Sequence, residues 1–206
     1  MSHIPPVDSD RQVEFFFDVG SPASYLAWTQ LESIQRDTGA SVVYQPMLLG
    51  GVFQATGNAS PAAVPAKGDY TFRDLERYAR RYHVPLQRNP HFPINTLPLM
   101  RAITGMQMHH PDRFLPFTHT VFEALWVHGL NFNDPAIAGA TLAKAGYSPE
   151  LIQGLIEDPQ VKARLKSVTD VAVERGVFGA PTIFVGGEIF WGQDRLDWVR
   201  DALTSS

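Results

Sequence analysis

Apolar and polar positions along the chain switch between two periods. Val13–Phe17 is a near-continuous apolar run, the pattern of a strand covered on both faces. After Asp18-Val19-Gly20-Ser21 a helical period takes over. Tyr25, Leu26, Trp28, Leu31 and Ile34 fall on one side of a helix expected from Pro22 to about Arg36. Ser21 is placed as its N-cap, Pro22 as its first residue and Thr38-Gly39 as its stop. Ser41–Leu48 reads as a second strand, with Pro46 near its end. Strand, helix and strand at this spacing form a βαβ unit, so the two strands are expected to be parallel.

Gly50–Gly68 is rich in Gly, Ala, Pro, Ser and Asn and is expected as a loop or short helical turns. A long helical block follows, with amphipathic helices expected over Asp69–Tyr82, Asn95–Met108 and Asp112–His128. Three more open at Asp134-Pro135, Ser148-Pro149 and Asp158-Pro159, each a capping residue followed by Pro, and the last runs to Gly176. Then Thr182–Val185 and Glu188–Trp191 flank Gly186-Gly187, a strong hairpin signal, and Asp194 starts a final helix. The order βαβ, helical block, ββα predicts one mixed α/β sheet completed by the two ends of the chain.

Composition narrows the function. The 206 residues are 44% hydrophobic and 18% charged, enough for a sizeable core. A formal charge of −4 argues against a nucleic-acid partner, whose footprint is basic. With no cysteine, the chain has no disulfide, thiolate metal site or cysteine nucleophile. It has no apolar run near the roughly 18 residues of a membrane span and no apolar leader, so a cytoplasmic protein is expected. His109, His110 and His119 lack the spacing of a metal cluster, and the arginines at 73, 77, 80 and 81 share a helix with Asp74 and Glu76, a solvated face. Neither Gly-x-Gly-x-x-Gly nor a P-loop is present, so no nucleotide cofactor is expected, and without Gly-x-Ser-x-Gly, Ser21 is a poor hydrolase nucleophile.

What remains is the turn at Ser21. A hydroxyl at a helix N-terminus, at the C-terminal end of a buried strand, is suited to a bound anion. Alone it is only a preferred cap. Its setting changes that balance. Ser21-Pro22-Ala23-Ser24 occupies the place where a thioredoxin-like oxidoreductase has Cys-Pro-x-Cys, and Gly179-Ala180-Pro181-Thr182 fits the slot of the thioredoxin cis-proline. Further motifs are Gly57-Asn58, Pro65-Ala66-Lys67-Gly68, Phe92-Pro93-Ile94-Asn95-Thr96-Leu97, Gly176-Val177-Phe178 and Trp191-Gly192-Gln193-Asp194-Arg195. In this order, from Val13 onward, the chain resembles the family of 2-hydroxychromene-2-carboxylate isomerases and kappa-class glutathione transferases.

The resemblance implies a thioredoxin-like α/β fold with a large all-helical insertion of DsbA type. Residues 12–66 and 177–206 would form the thioredoxin-like glutathione-binding domain, 67–176 the insertion and 1–11 a loose arm. Glutathione would be the cofactor. Ser21 would hydrogen-bond its sulfur, Asn58 and Lys67 would lie near it, and Ala180 before cis-Pro181 would pair with its cysteinyl backbone. Gln193 and Asp194 would bind its γ-glutamyl end, although Gln193 departs from the Ser usual at that position. Lys67, Asn95 and Arg101 are candidates to anchor a flat aromatic carboxylate, with Asn95 favoured by the family-like motif around it. A homodimer is implied.

A free thiol has a pKa near 8.5. A helix dipole contributes about 0.3–1 kcal/mol and a hydrogen bond to a charged group about 1.5–3, together one to two pKa units of thiolate stabilisation. Three activities follow from such a site: a glutathione-dependent isomerase, a kappa-type transferase or peroxidase, and a binding module of thioredoxin fold without chemistry.

Overall fold

A computed structural model of the chain describes residues 11–204. The expected N-terminal arm, apart from Arg11, lies outside the described residues. Four strands form one sheet: β1 (Gln12–Phe17), β2 (Ser41–Pro46), β3 (Thr182–Val185) and β4 (Glu188–Trp191), in the spatial order β2-β1-β3-β4. β1 runs parallel to β2, with Phe15 opposite Tyr44. It runs antiparallel to β3, with Phe15 opposite Ile183, and β3 and β4 form the expected hairpin.

The helices are α1 (Pro22–Thr38), α2 (Leu49–Thr56), α3 (Pro65–Tyr82), α4 (Leu97–His109), α5 (Pro111–Trp126), α6 (Pro135–Lys144), α7 (Pro149–Glu157), α8 (Pro159–Glu174) and α9 (Leu196–Thr204). Single 3-10 turns occupy Pro61–Ala63 and Gln193–Arg195. Six of these helices begin on proline, where the missing N–H has no intrahelical partner to lose. Ser21, Asp134, Ser148 and Asp158 cap four of the six.

Several boundaries differ from the sequence expectation. The segment 50–68 is largely helical, since α2 fills Leu49–Thr56 and α3 starts at Pro65 rather than Asp69. β2 stops at Pro46, because Leu48 is already the N-cap of α2. α4 starts at Leu97 because the Asn95 side chain, outside the helix, accepts the Leu97 N–H. α5 runs from Pro111 to Trp126 and stops short of His128, and Asp194 lies in a 3-10 turn ahead of α9.

The apolar run of β1 is explained by helices on both faces. Phe15 and Phe17 stack at 5.2 Å on one face, against Leu26, Leu31 and Ile34 of α1, and Phe17 meets Phe122 of α5 at 6.0 Å. Phe16 points to the other face, among Phe184, Val52 of α2 and Val168 and Ala172 of α8. Just beyond α8, Arg175 makes a bidentate pair with Glu14 (2.8 and 2.7 Å) and lies 3.9 Å from the centroid of the Phe184 ring. The two faces leave the C-terminal end of β1 and the N-terminus of α1 at the junction of sheet and helices, where the candidate site lies.

Candidate functional site

Ser21 is buried, and its hydroxyl both accepts and donates a hydrogen bond. Its oxygen accepts the Ser24 N–H at 3.1 Å, capping α1, and its proton goes to the Ala180 carbonyl at 2.9 Å. The Ala180–Pro181 peptide is cis, as is Phe92–Pro93. The first turn of α1 carries no acidic side chain to compete with an anion at this helix N-terminus.

From Pro181 the site continues to the second candidate region. The Pro181 carbonyl accepts the Gly192 N–H at 3.0 Å, which fixes the turn carrying Gln193 and Asp194 beside the hairpin. Gln193 is buried, and its carbonyl accepts the Tyr82 hydroxyl of α3 at 2.6 Å. Asp194 is paired with its neighbour Arg195 at 2.6 Å. Asn58, at the end of α2, donates to the Phe178 carbonyl at 2.8 Å, two residues before Ala180. Ser21, Ala180, Pro181, Gln193, Asp194 and Asn58 are thus linked through chain connectivity, one backbone hydrogen bond and the side-chain hydrogen bonds of Ser21 and Asn58. Lys67 is exposed in the first turn of α3, and among the described residues no side-chain contact joins it to them. Phe178 and Trp191 pack with tilted rings, centroids 4.9 Å apart, beside the Pro181–Gly192 hydrogen bond, and are both partly open to solvent.

The two carboxylate-anchor candidates separate. Asn95 is exposed, and its side-chain oxygen is taken by the Leu97 N–H. Its backbone N–H goes to Asn133, whose amide also donates to the carbonyls of His91 and Pro93. Arg101 is half-buried and lines a cavity of about 630 Å³ between α2, α4 and α8, with Leu48, Gly51, Leu97, Lys162 and Leu165. None of the residues grouped around Ser21 lines that cavity.

Sequence reasoning gave no role to Asp18. It is 1% exposed, yet it has no cation partner among the described residues. Its Oδ1 accepts the Gly20 N–H at 2.8 Å. Its Oδ2 accepts the Leu49 N–H at 2.8 Å and the Thr96 hydroxyl at 3.0 Å. Burial pushes its pKa up, against the lowering effect of those three donors. The neighbouring Val19 is held at both ends, its N–H by Met100 Sδ (3.4 Å) and its carbonyl by the Trp126 indole (2.7 Å). The one available sequence signal was an aspartate directly after three phenylalanines in a run expected to be buried. Ser24 is fully buried and packs within α1, and its hydroxyl has no hydrogen-bond partner among the described residues.

Among the described residues no group of His, Asp and Glu is placed to hold a metal ion, and no helix is long and apolar enough to cross a membrane.

The model of the DSBA-like thioredoxin domain matches residues 12–204. The chain is similar to 2-hydroxychromene-2-carboxylate isomerase of Pseudomonas putida, at 31% identity over 193 residues and 93% of each chain. It is similar to glutathione S-transferase kappa 1 of Homo sapiens, at 30% identity over 209 residues, 94% of this chain and 91% of the relative. A solved structure of a 2-hydroxychromene-2-carboxylate isomerase superposes with a TM-score of 0.81 at 29% identity, covering 94% of this chain and 95% of that one.

Proposed function

This chain belongs to the DsbA-like thioredoxin family, among the 2-hydroxychromene-2-carboxylate isomerases and kappa-class glutathione transferases, and we propose that it is a glutathione-dependent isomerase of an aromatic 2-oxo acid. The observation that supports this most is the Ser21 hydroxyl, held at the N-terminus of α1 beside the carbonyl that precedes cis-Pro181. A protein without cysteine can supply a helix dipole and a donor there but no sulfur. Glutathione supplies the sulfur.

Turning about the Cβ–Oγ bond moves the Ser21 proton from the Ala180 carbonyl to a thiolate while the oxygen still accepts from Ser24. Asn58, Ala180, Gln193 and Asp194 would hold the tripeptide, and Lys67 is the cation nearest in sequence to Asn58. The thiolate adds to the electron-poor alkene carbon of the opened substrate, and the electron pair moves into the conjugated ketone. The former double bond rotates, and the returning electron pair expels the thiolate with the trans geometry. Nothing is consumed, and the product from 2-hydroxychromene-2-carboxylate is trans-o-hydroxybenzylidenepyruvate. Asn95 and Arg101 are the candidate carboxylate anchors: the Asn95 oxygen accepts the Leu97 N–H, so its NH2 is the group that would donate to a carboxylate, and Arg101 is half-buried in the cavity beside α4. The glutathione unit would comprise residues 12–66 and 177–206, with 67–176 as the insertion.

The test is isomerisation of the chromene acid with and without glutathione. Turnover that requires glutathione and falls in Ser21→Ala supports the proposal, and turnover indifferent to glutathione removes it. The kinship with glutathione S-transferase kappa 1 favours a second reading, conjugation of an activated aryl halide or reduction of a hydroperoxide at the same thiolate. A chain active in those assays and inactive on the chromene acid is a transferase.

A further inference from the structure

We propose that Asp18 is a positioning residue through which α2 and the helical insertion together set the place of the Ser21 hydroxyl, by bracing the Gly20-Ser21 turn against Leu49 and Thr96. This inference rests on the proposed thiolate site at Ser21.

The brace joins three parts of the chain. Asp18 closes the turn itself, since its carbonyl accepts the Ser21 N–H at 3.0 Å and its Oδ1 accepts the Gly20 N–H. Its Oδ2 reaches the first residue of α2 and the N-cap of α4. Neither N-cap residue caps its own helix with its side chain. Leu48 has no group to offer, and Thr96 gives its proton to Asp18 instead of accepting a helix N–H. The turn has no slack on the side of Thr96, because a Cβ at Gly20 would meet Thr96 Cγ2 at 2.8 Å. Met100 and Trp126 hold Val19 from the same insertion, so all of the turn's outward contacts on this side come from α2, α4 and α5.

The contribution is geometric rather than electrostatic. A buried carboxylate beside the turn repels a thiolate, so its charge alone works against the proposed chemistry. An aspartate there has to act through the positions that it fixes. Its chemistry is also specific. All three partners donate, so the site takes an acceptor on each oxygen. Asparagine fits in neither orientation, because its NH2 would face either the Gly20 N–H or the Leu49 N–H, and a backbone N–H cannot reverse.

The charge and position accounts predict opposite signs for Asp18→Asn, which makes it the test. The readouts are the thiolate ultraviolet absorbance of bound glutathione at neutral pH and the steady-state kcat and glutathione KM. The positioning role gives a lower thiolate fraction and a kcat reduced about tenfold or more, with KM changed less than about twofold. Thr96→Val, which removes one donor and keeps the volume, gives the same effect more weakly, and Thr96→Ser, which keeps the hydroxyl, restores wild-type values. These two variants carry the test if Asp18→Asn does not fold. A thiolate fraction that is unchanged or raised in Asp18→Asn, or Thr96→Val and Thr96→Ser behaving alike, overturns the inference. A wild-type protein without a thiolate signal instead overturns the reading of Ser21 on which it rests.

Discussion

The Ser21 hydroxyl donates to the Ala180 carbonyl at 2.9 Å, joining residues 159 positions apart across the start of α1 and the cis-Pro181 loop. Ser21→Ala removes both this bond and the cap that receives the Ser24 N–H. Loss of the cap costs about 1 kcal/mol of stability. Loss of a donor aimed at developing or bound negative charge costs about 10²–10³ in kcat. The expected outcome is a modest fall in Tm and a fall of about two orders of magnitude in glutathione-dependent kcat. Ser21→Thr keeps the hydroxyl and lies between. Equal activities of Ser21→Ala and Ser21→Thr, measured by steady-state kinetics, would remove the hydroxyl from the mechanism.

Gly20 and Thr96 are expected to be coupled. A methyl at Gly20 would overlap Thr96 Cγ2, which cannot withdraw while its hydroxyl is bound to Asp18. Gly20→Ala alone costs about 1–3 kcal/mol through overpacking. Thr96→Ser deletes the offending methyl and keeps the hydroxyl. The double variant is therefore more stable than the sum of the two single losses, by about 0.5–3 kcal/mol. Urea unfolding of the four proteins measures this. Simple additivity would mean that the backbone yields and Thr96 does not.

The mixed sheet, the hairpin and most helix starts were legible because proline, glycine and capping residues punctuate them, as at Ser21-Pro22, Ser148-Pro149 and Gly186-Gly187. The same glycine rule misread residues 50–68. Gly51 and Gly68 look like breakers but lie inside α2 and α3, where they allow close approach. A Cβ on Gly51 would lie 3.2 Å from Thr169 Cγ2, and one on Gly68 would lie 3.0 Å from the Ala62 Cα. A single sequence does not separate a glycine that bends the chain from one that lets two elements touch. The role of Asp18 was hidden for a related reason. Its partners Gly20, Leu49 and Thr96 meet only after folding, and two of them are 31 and 78 residues away.

Arg175→Lys is expected to destabilise the protein and leave catalysis alone. The guanidinium binds both oxygens of Glu14 and covers the Phe184 ring, tying the end of α8 to β1 and β3. The pair is only about a third exposed, so it is less screened than a surface pair. Lysine keeps the charge but loses the fork and the planar stacking. A loss of about 1–2 kcal/mol in unfolding free energy is expected, together with unchanged kcat. A variant with wild-type stability would show that the ring packing of Phe16 and Phe184 holds β1, β3 and α8 together without the arginine.

Three of the six tyrosines set an alkaline limit on the fold. Burial pushes the hydroxyls of Tyr25, Tyr44 and Tyr82 up to about 12, with smaller contributions from Glu123, Glu32 and Tyr78 respectively. Their ordinary value is 10.0. A folded pKa above the unfolded one favours the folded state only while the group stays protonated. The contribution is whole below pH 10 and is lost as pH rises through about 12, where the unfolded chain releases these protons first. Two of the three also donate, Tyr25 to the Pro85 carbonyl at 2.9 Å and Tyr82 to the Gln193 carbonyl at 2.6 Å, and ionisation abolishes both bonds. Tyrosinate absorbance and far-ultraviolet circular dichroism, followed together, should show these three protons released in one step with unfolding between pH 10 and 12. Tyr82→Phe should make that step shallower and lower neutral-pH stability by about 1 kcal/mol for the lost hydrogen bond. Because it also frees the turn that carries Gln193 and Asp194, it should weaken glutathione binding more than it lowers kcat. Release of all six tyrosine protons near pH 10 while the fold is intact would contradict the burial of these hydroxyls.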